Sequence, residues 1–311
     1  MVMELLGESL EDLFKECNRK FSVKTVCMVG LQILDRFEFI HKKNIIHRDI
    51  KADNFVIGLE DKSHIIYVLD FGLSKKYRSG KNKQHIKMSV KKKLTGTARY
   101  ASINALKGCE QSRRDDLEAI SYLLLYFLRG VLPWQGIRVH KHEDRYKKIL
   151  KKKMETTAED LCQGFPEQFK DFVNYTRNLQ FEEDPDYTYL NNLLISVLEK
   201  DKLTYDFFFD WVKEKPVIND DIAIKRYVLR EKLNEEEKQK IEEEKGKDQE
   251  DKNSQIMNIN KEDESINKTV DIMKNLSIEN EEEKPEENEG KKEKEMESKF
   301  DGVDKSKCYI F

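Results

Sequence analysis

No stretch of this 311-residue sequence approaches the ~18 consecutive apolar residues that a membrane-spanning helix requires. The first residues, Met-Val-Met-Glu-Leu-Leu-Gly-Glu, lack the basic-then-apolar order of a secretory signal. Cysteine occurs only at 17, 27, 109, 162 and 308, never as a CxxC pair. That spacing speaks against a disulfide framework or a zinc site and for a reducing compartment. Apolar residues make up only 38% of the chain and charged residues also 38%, against a usual charged share of about a quarter. A chain so composed can build a core, but not along its whole length.

The charge divides the chain. Residues 231–300 hold 24 acidic and 14 basic side chains, about −10, whereas the whole chain is −3. A mildly basic body of about +7 therefore precedes an acidic tail. Residues 1–215 read as folded, 216–245 as a charged, helical extension, and 246–311 as disordered. The last part is rich in Glu, Lys, Asn and Ser and buries too little surface to offset chain entropy. There is no internal repeat.

Within the body, Ser9 caps a helix over 9–17, with Asp12 in the capping-box position. Val26, Val29, Ile33, Phe37 and Ile40 step by three or four, which predicts a one-sided helix from Thr25 to His41. Asn54–Ile57 and Ile65–Leu69, separated by GLEDKSH, predict a hairpin. Residues 71–104 read as one long polar loop, a length that usually signals function. Residues 116–129 are apolar on nearly every side and predict a central helix. Further helices are expected near 143–154, 166–179 and 187–199. The aromatic run Tyr205–Val212 is expected to close the domain.

One constellation carries chemistry: His47-Arg48-Asp49-Ile50-Lys51-Ala52-Asp53-Asn54, then Asp70-Phe71-Gly72 across the hairpin. It resembles the catalytic and metal-binding loops of protein kinases. Phosphoryl transfer requires the attacking hydroxyl in line with the γ-phosphate, with the charge around them neutralised. By resemblance, Asp49 accepts the hydroxyl proton and Lys51 reaches the γ-phosphate. Asn54 and Asp70 hold Mg²⁺. His47, a metal ligand if taken alone, orders the loop together with Arg48.

Further segments narrow the likeness. They are Leu94-Thr95-Gly96-Thr97-Ala98-Arg99-Tyr100-Ala101-Ser102-Ile103-Asn104, Glu110–Glu118 (EQSRRDDLE), Leu132-Pro133-Trp134-Gln135-Gly136 and Phe209-Asp210-Trp211. Over residues 1–213 the chain closely resembles the casein kinase 1 family of serine/threonine kinases, with Ser102-Ile103-Asn104 as the sharpest marker. The resemblance implies a protein-kinase-like α+β fold with a mainly α-helical C-terminal lobe and a small β-hairpin. It also implies ATP and Mg²⁺ as cofactors.

By position, Met3 is the gatekeeper of a hinge. Glu4 and Leu6 offer backbone hydrogen bonds to adenine, and Val56 and Leu69 line its floor. Read without the family, MELL is equally a core strand. Asp116 is the buried acid that supports the catalytic loop, with the backbone around His47 and Arg48 as its expected partner. Arg99, Gly136 and Arg145 map to a site for an acidic or phosphorylated residue upstream of the target Ser/Thr in protein substrates. Lys75, Lys76, Arg78 and Lys91–Lys93 either extend this basic surface or form a solvated face. Nucleic acid is not an expected partner, because no stacking aromatics are interleaved with the charge.

The sequence departs from the family most at its front. No GxGxxG or VAIK-like run is present, so the N-terminal β-lobe is expected to be missing. The chain is then either an incomplete version of a full kinase or a short form that acts as a binding module or decoy, and as written it is expected to be weakly active or inactive. Ala52 stands where the family has Pro, and Ala119-Ile120-Ser121 replaces Ser-Leu-Gly. The terminal Cys308-Tyr309-Ile310-Phe311 fits a prenylation motif, against a plain terminal thiol. Cytoplasmic residence with reversible membrane association follows from it, the nucleus remaining open. The acidic tail reads as a spacer, or as a pseudosubstrate through Ser254, Ser265, Thr269, Ser277 and Ser298.

Overall fold

The structure is a computed structural model that describes residues 3–79, 83–137 and 142–213, the side chains of 79 and 142–144 excepted. The extension at 216–245, the tail at 246–311, its serines and threonine, and Cys308 lie outside the described residues. Among the described residues no helix is long and apolar enough to cross a membrane.

The chain begins extended. Gly7 N–H donates to Ile57 O at 2.8 Å and Ile57 N–H to Glu8 O at 3.0 Å. Helix α1 (Leu10–Glu16) follows, its first turn closed by Asp12 N–H donating to Ser9 Oγ. Asp12 binds the Ser9 hydroxyl at 2.7 Å, so the reciprocal backbone bond of a capping box is replaced by a side-chain one. Helix α2 (Val23–Lys42) starts two residues before the expected Thr25, because Ser22 caps it through Thr25 N–H. Its buried face includes Val26, Val29, Ile33, Phe37 and Ile40, the positions whose spacing predicts the helix.

Next come the short strands β1 (Ile45–Ile46), β2 (Phe55–Ile57) and β3 (Ile66–Val68). β2 and β3 form the expected hairpin, Val56 opposite Tyr67. The expected long loop after Asp70 is not featureless. β4 (Lys75–Lys76) pairs antiparallel with β1, and β5 (Arg78–Ser79) with β6 (Gln84–His85). Such two-residue ladders carry no sequence period, which is why the loop reading missed them. Helix α3 (Ile103–Leu106) then starts at Ser102, whose Oγ accepts from Ala105 N–H at 2.9 Å.

Helix α4 (Arg113–Arg129) is buried along almost its entire length. It begins three residues before the expected position, with Ser112 N–H donating to Asp115 Oδ2 at 2.8 Å. Helices α5 (His142–Glu155), α6 (Ala158–Cys162), α7 (Glu167–Asn178) and α8 (Tyr187–Lys200) complete the described elements. α2 packs on α8 and α4, and α4 packs on α7. At the α2–α8 crossing a Cβ on Gly30 would lie 2.7 Å from Leu194, so glycine sets the approach of the two helices.

The closing segment forms no regular element. Asp210 ties it to the start of α2: Ser22 N–H and Oγ–H donate to its carboxylate at 2.6 and 2.8 Å, and Asp210 N–H donates to Thr25 Oγ1. Phe209 and Trp211 stack at 4.6 Å, with Trp211 also against Phe21. Pairs of this kind add about 0.5–1.5 kcal/mol beyond their area.

Candidate active site

Residues 47–54 run from β1 to β2 at the foot of α4. Asp116 on α4 is 1% exposed and accepts three N–H groups. His47 N–H and Arg48 N–H each donate at 2.8 Å, and His41 Nε2 lies at 2.9 Å. Burial alone would raise this carboxyl, but the His41 hydrogen bond and the His47 contacts outweigh it and hold it below the usual range. The anchored backbone is bent: Arg48 has φ 69°, a left-handed conformation uncommon for non-glycine residues. The outer end of His41 meets the Tyr187 hydroxyl. No spacing in the sequence pairs His41 with Tyr187, because they join α2 and α8 only in three dimensions.

His47 then fastens the loop to the segment after β3. Its Nδ1 accepts from Asp49 N–H at 3.3 Å and its Nε2 donates to Leu69 O at 2.9 Å. Phe71 packs edge-on against the His47 ring at 5.2 Å. Arg48 Nε donates to Leu73 O at 2.6 Å. The residues flanking Asp49 thus hold both sides of Asp70.

Asp49 is 5% exposed and sits among donors. Lys51 Nζ is 2.9 Å from Oδ2 and Thr97 Oγ1 donates to Oδ1 at 2.8 Å. Burial pulls this acid upward, but Lys51 and Thr97 overcome it and keep it below the ordinary carboxylate range. It is therefore an ionised proton acceptor at neutral pH. The same pair raises Lys51, through its bond to Asp49, so the ammonium stays charged. Thr97 is brought close by Gly96, at φ 94°, where a Cβ would stand 2.1 Å from Arg48 O. Thr97 was absent from the sequence-based site, although Thr-Gly-Thr offered the signal of a required glycine between two hydroxyls.

Asn54 Nδ2 donates to Asp49 O at 2.8 Å. This commits its NH₂ group and leaves the amide oxygen as an acceptor. Asp70 is exposed and left-handed at φ 63°, with Oδ1 accepting only from Gly72 N–H at 3.2 Å. One carboxylate and one amide oxygen fit a hard cation that takes its other ligands from phosphate and water. Among the described residues no group of three or more His, Cys, Asp or Glu side chains could hold a metal. Mg²⁺ bound with ATP supplies charge neutralisation at the transferred phosphate. Asn54 and Asp70 would hold it.

The residues expected on the adenine side are arranged as an open platform. Val56 is buried, Leu69 and Leu6 are half-buried, Glu4 is exposed and Met3 is 55% exposed. The Glu4 side chain is spent on a surface pair with Lys62 at 2.8 Å.

Arg99, Gly136 and Arg145 come together around one cavity of about 330 Å³, with Thr97 and Trp134 on its wall. Trp134 Nε1 donates to Arg99 O at 2.7 Å. The Arg99 guanidinium lies 5.4 Å from the Tyr126 ring and 5.6 Å from that of Tyr100. Behind this wall Lys153 is fully buried. Its ammonium donates to Ala101 O and lies 4.4 and 4.8 Å from the Tyr122 and Trp134 rings. Burial pushes it well below the ordinary lysine range.

Part of the loop's basic charge is paired. Lys75 and Lys92 both pair with Glu110, at 2.8 and 3.3 Å, and Arg78 pairs with Asp184 at 3.2 Å. These three are ion-paired, the Arg78–Asp184 pair at the surface, so part of the loop's charge is neutralised locally.

A family model described as Protein kinase domain matches residues 1–193, well over half of the 311 residues. The chain belongs to the protein kinase domain family.

Proposed function

We propose that this protein kinase domain transfers the γ-phosphate of ATP to Ser or Thr hydroxyls, in the manner of casein kinase 1, where an acidic or phosphorylated residue lies upstream. The observation that carries the transfer reading is the ionised Asp49 held between Lys51 and Thr97. Asp49 takes the hydroxyl proton while Lys51 steadies the charge of the group in transit. Asn54 and Asp70 supply the cation's protein ligands. The substrate preference rests on the cavity of Arg99, Gly136 and Arg145. It combines two guanidinium groups suited to phosphate oxygens.

A second reading is favoured by one observation. The anion cavity is complete within the described lobe, whereas the adenine platform is open at Met3 and Leu5, which are 55% and 80% exposed. On this reading the chain binds acidic or phosphorylated partners without catalysis. Nucleotide binding separates the two. Titration of the chain with a fluorescent ATP analogue is expected to show weak, Mg²⁺-dependent binding that Asp70→Asn reduces at least about tenfold. Phosphopeptide binding with no nucleotide binding at all would transfer the case to the second reading.

A further inference from the structure

Segment 86–93 has two unlike sides. Lys92 N–H donates to Gly108 O at 2.9 Å and Glu110 N–H donates to Ser89 O at 2.7 Å, so the segment lies along 108–110. On the inner side Ser89 Oγ and Lys92 Nζ reach Glu110, at 3.4 and 3.3 Å, where Lys75 also sits at 2.8 Å. Glu110 is 7% exposed and already serves two ammonium groups. Its carboxyl is pulled up by burial and more strongly down by Lys75 and Lys92.

Lys87, Lys91 and Lys93 of the same segment are all exposed, with Met88 at 45% and Val90 at 63% exposure. Exposed Lys107 adjoins them next to Gly108. None of these four lysines makes an ion pair among the described residues. Lys91 is left-handed at φ 64°, a kink in a segment otherwise held by its ladder to 108–110.

We propose that this face docks on anionic lipid bilayers. Four ammonium groups without an ion pair among the described residues meet a negative surface, and each lysine near such a surface multiplies partitioning about fivefold. Met88 and Val90 stand between them and enter the headgroup boundary, where their apolar atoms leave water. A polyanion would use the lysines and gain little from Met88 and Val90. The charges are lysine point charges rather than planar arginine forks, which suits a diffuse surface better than a single defined phosphate. The docking surface does not depend on phosphoryl transfer, so neither claim falls with the other.

The test is vesicle co-sedimentation of the full chain, with phosphatidylcholine vesicles made with and without a third of phosphatidylserine. Binding is expected only with phosphatidylserine, and raised salt should release it. Lys91→Gln with Lys93→Gln should lower partitioning about twentyfold, and Met88→Ser with Val90→Ser about fivefold or more. Circular dichroism melts of both variants should match the parent. Absence of binding to the anionic vesicles overturns the proposal. So does unchanged binding in the Met88/Val90 variant, which would make the face a polyanion site, and so does equal binding to neutral vesicles.

Discussion

Two residues show how the catalytic loop is kept in place. Asp116 takes up the buried N–H groups of His47 and Arg48. Removing it leaves those donors unsatisfied in a site without water access, a loss of about 1–3 kcal/mol for each such group. Asp116→Ala should therefore destabilise the domain by about 3 kcal/mol in urea melts. Since its folded pKa is held below 3.8, the stability it contributes is present above that value and lost as pH falls through the lowered one. Gly96 is the other. A methyl group there would collide with Arg48 O at 2.1 Å, so Gly96→Ala must push Thr97 away from Asp49. We expect a kcat loss of about tenfold or more, larger than the change in KM. Equal kinetics in Gly96→Ala would show that the Thr97 contact has no part in the reaction.

Among the elements, α4 holds most of the support. Asp115 in its first turn accepts from Ser102 and from Ser112 N–H, and burial pushes it up to about 7 from 3.8. The sign follows from linkage. The folded protein holds this proton more tightly than the unfolded chain does. The stabilisation is therefore complete below 3.8 and is lost as pH rises through about 7. Asp115→Asn should flatten the fall in urea-melt stability across that window, and an unchanged profile would contradict the assignment. The α4 helix was legible as a buried apolar run from 116 onward. Its first turn was not, because Arg113, Arg114 and Asp115 are charged and yet buried, a combination that no hydropathy pattern reveals. The α5 contribution was hidden for the same reason. Lys153 reads as one more exposed lysine in a basic helix, and only the fold puts it between Tyr122 and Trp134.

At the scale of the whole molecule, local signals were readable and convergent ones less so. The α2 face, the 54–69 hairpin and the helices near 166–199 follow from spacing and turn residues. The residues from His47 to Asn54 and at Asp70 could be singled out because their order resembles the catalytic and metal-binding loops of protein kinases. What the sequence did not disclose is assembled from distant parts: His41 with Tyr187 behind Asp116, Glu110 absorbing Lys75 and Lys92, and Lys153 behind the cavity of Arg99 and Arg145. The most direct test of the account is phosphate transfer by the protein isolated from its own cells. The substrates are two peptides with the same target serine, one with phosphoserine upstream and one with unmodified serine. The account predicts Mg²⁺-dependent transfer that favours the phosphorylated peptide and falls at least about a hundredfold in Asp49→Asn. Undiminished transfer by Asp49→Asn would contradict it.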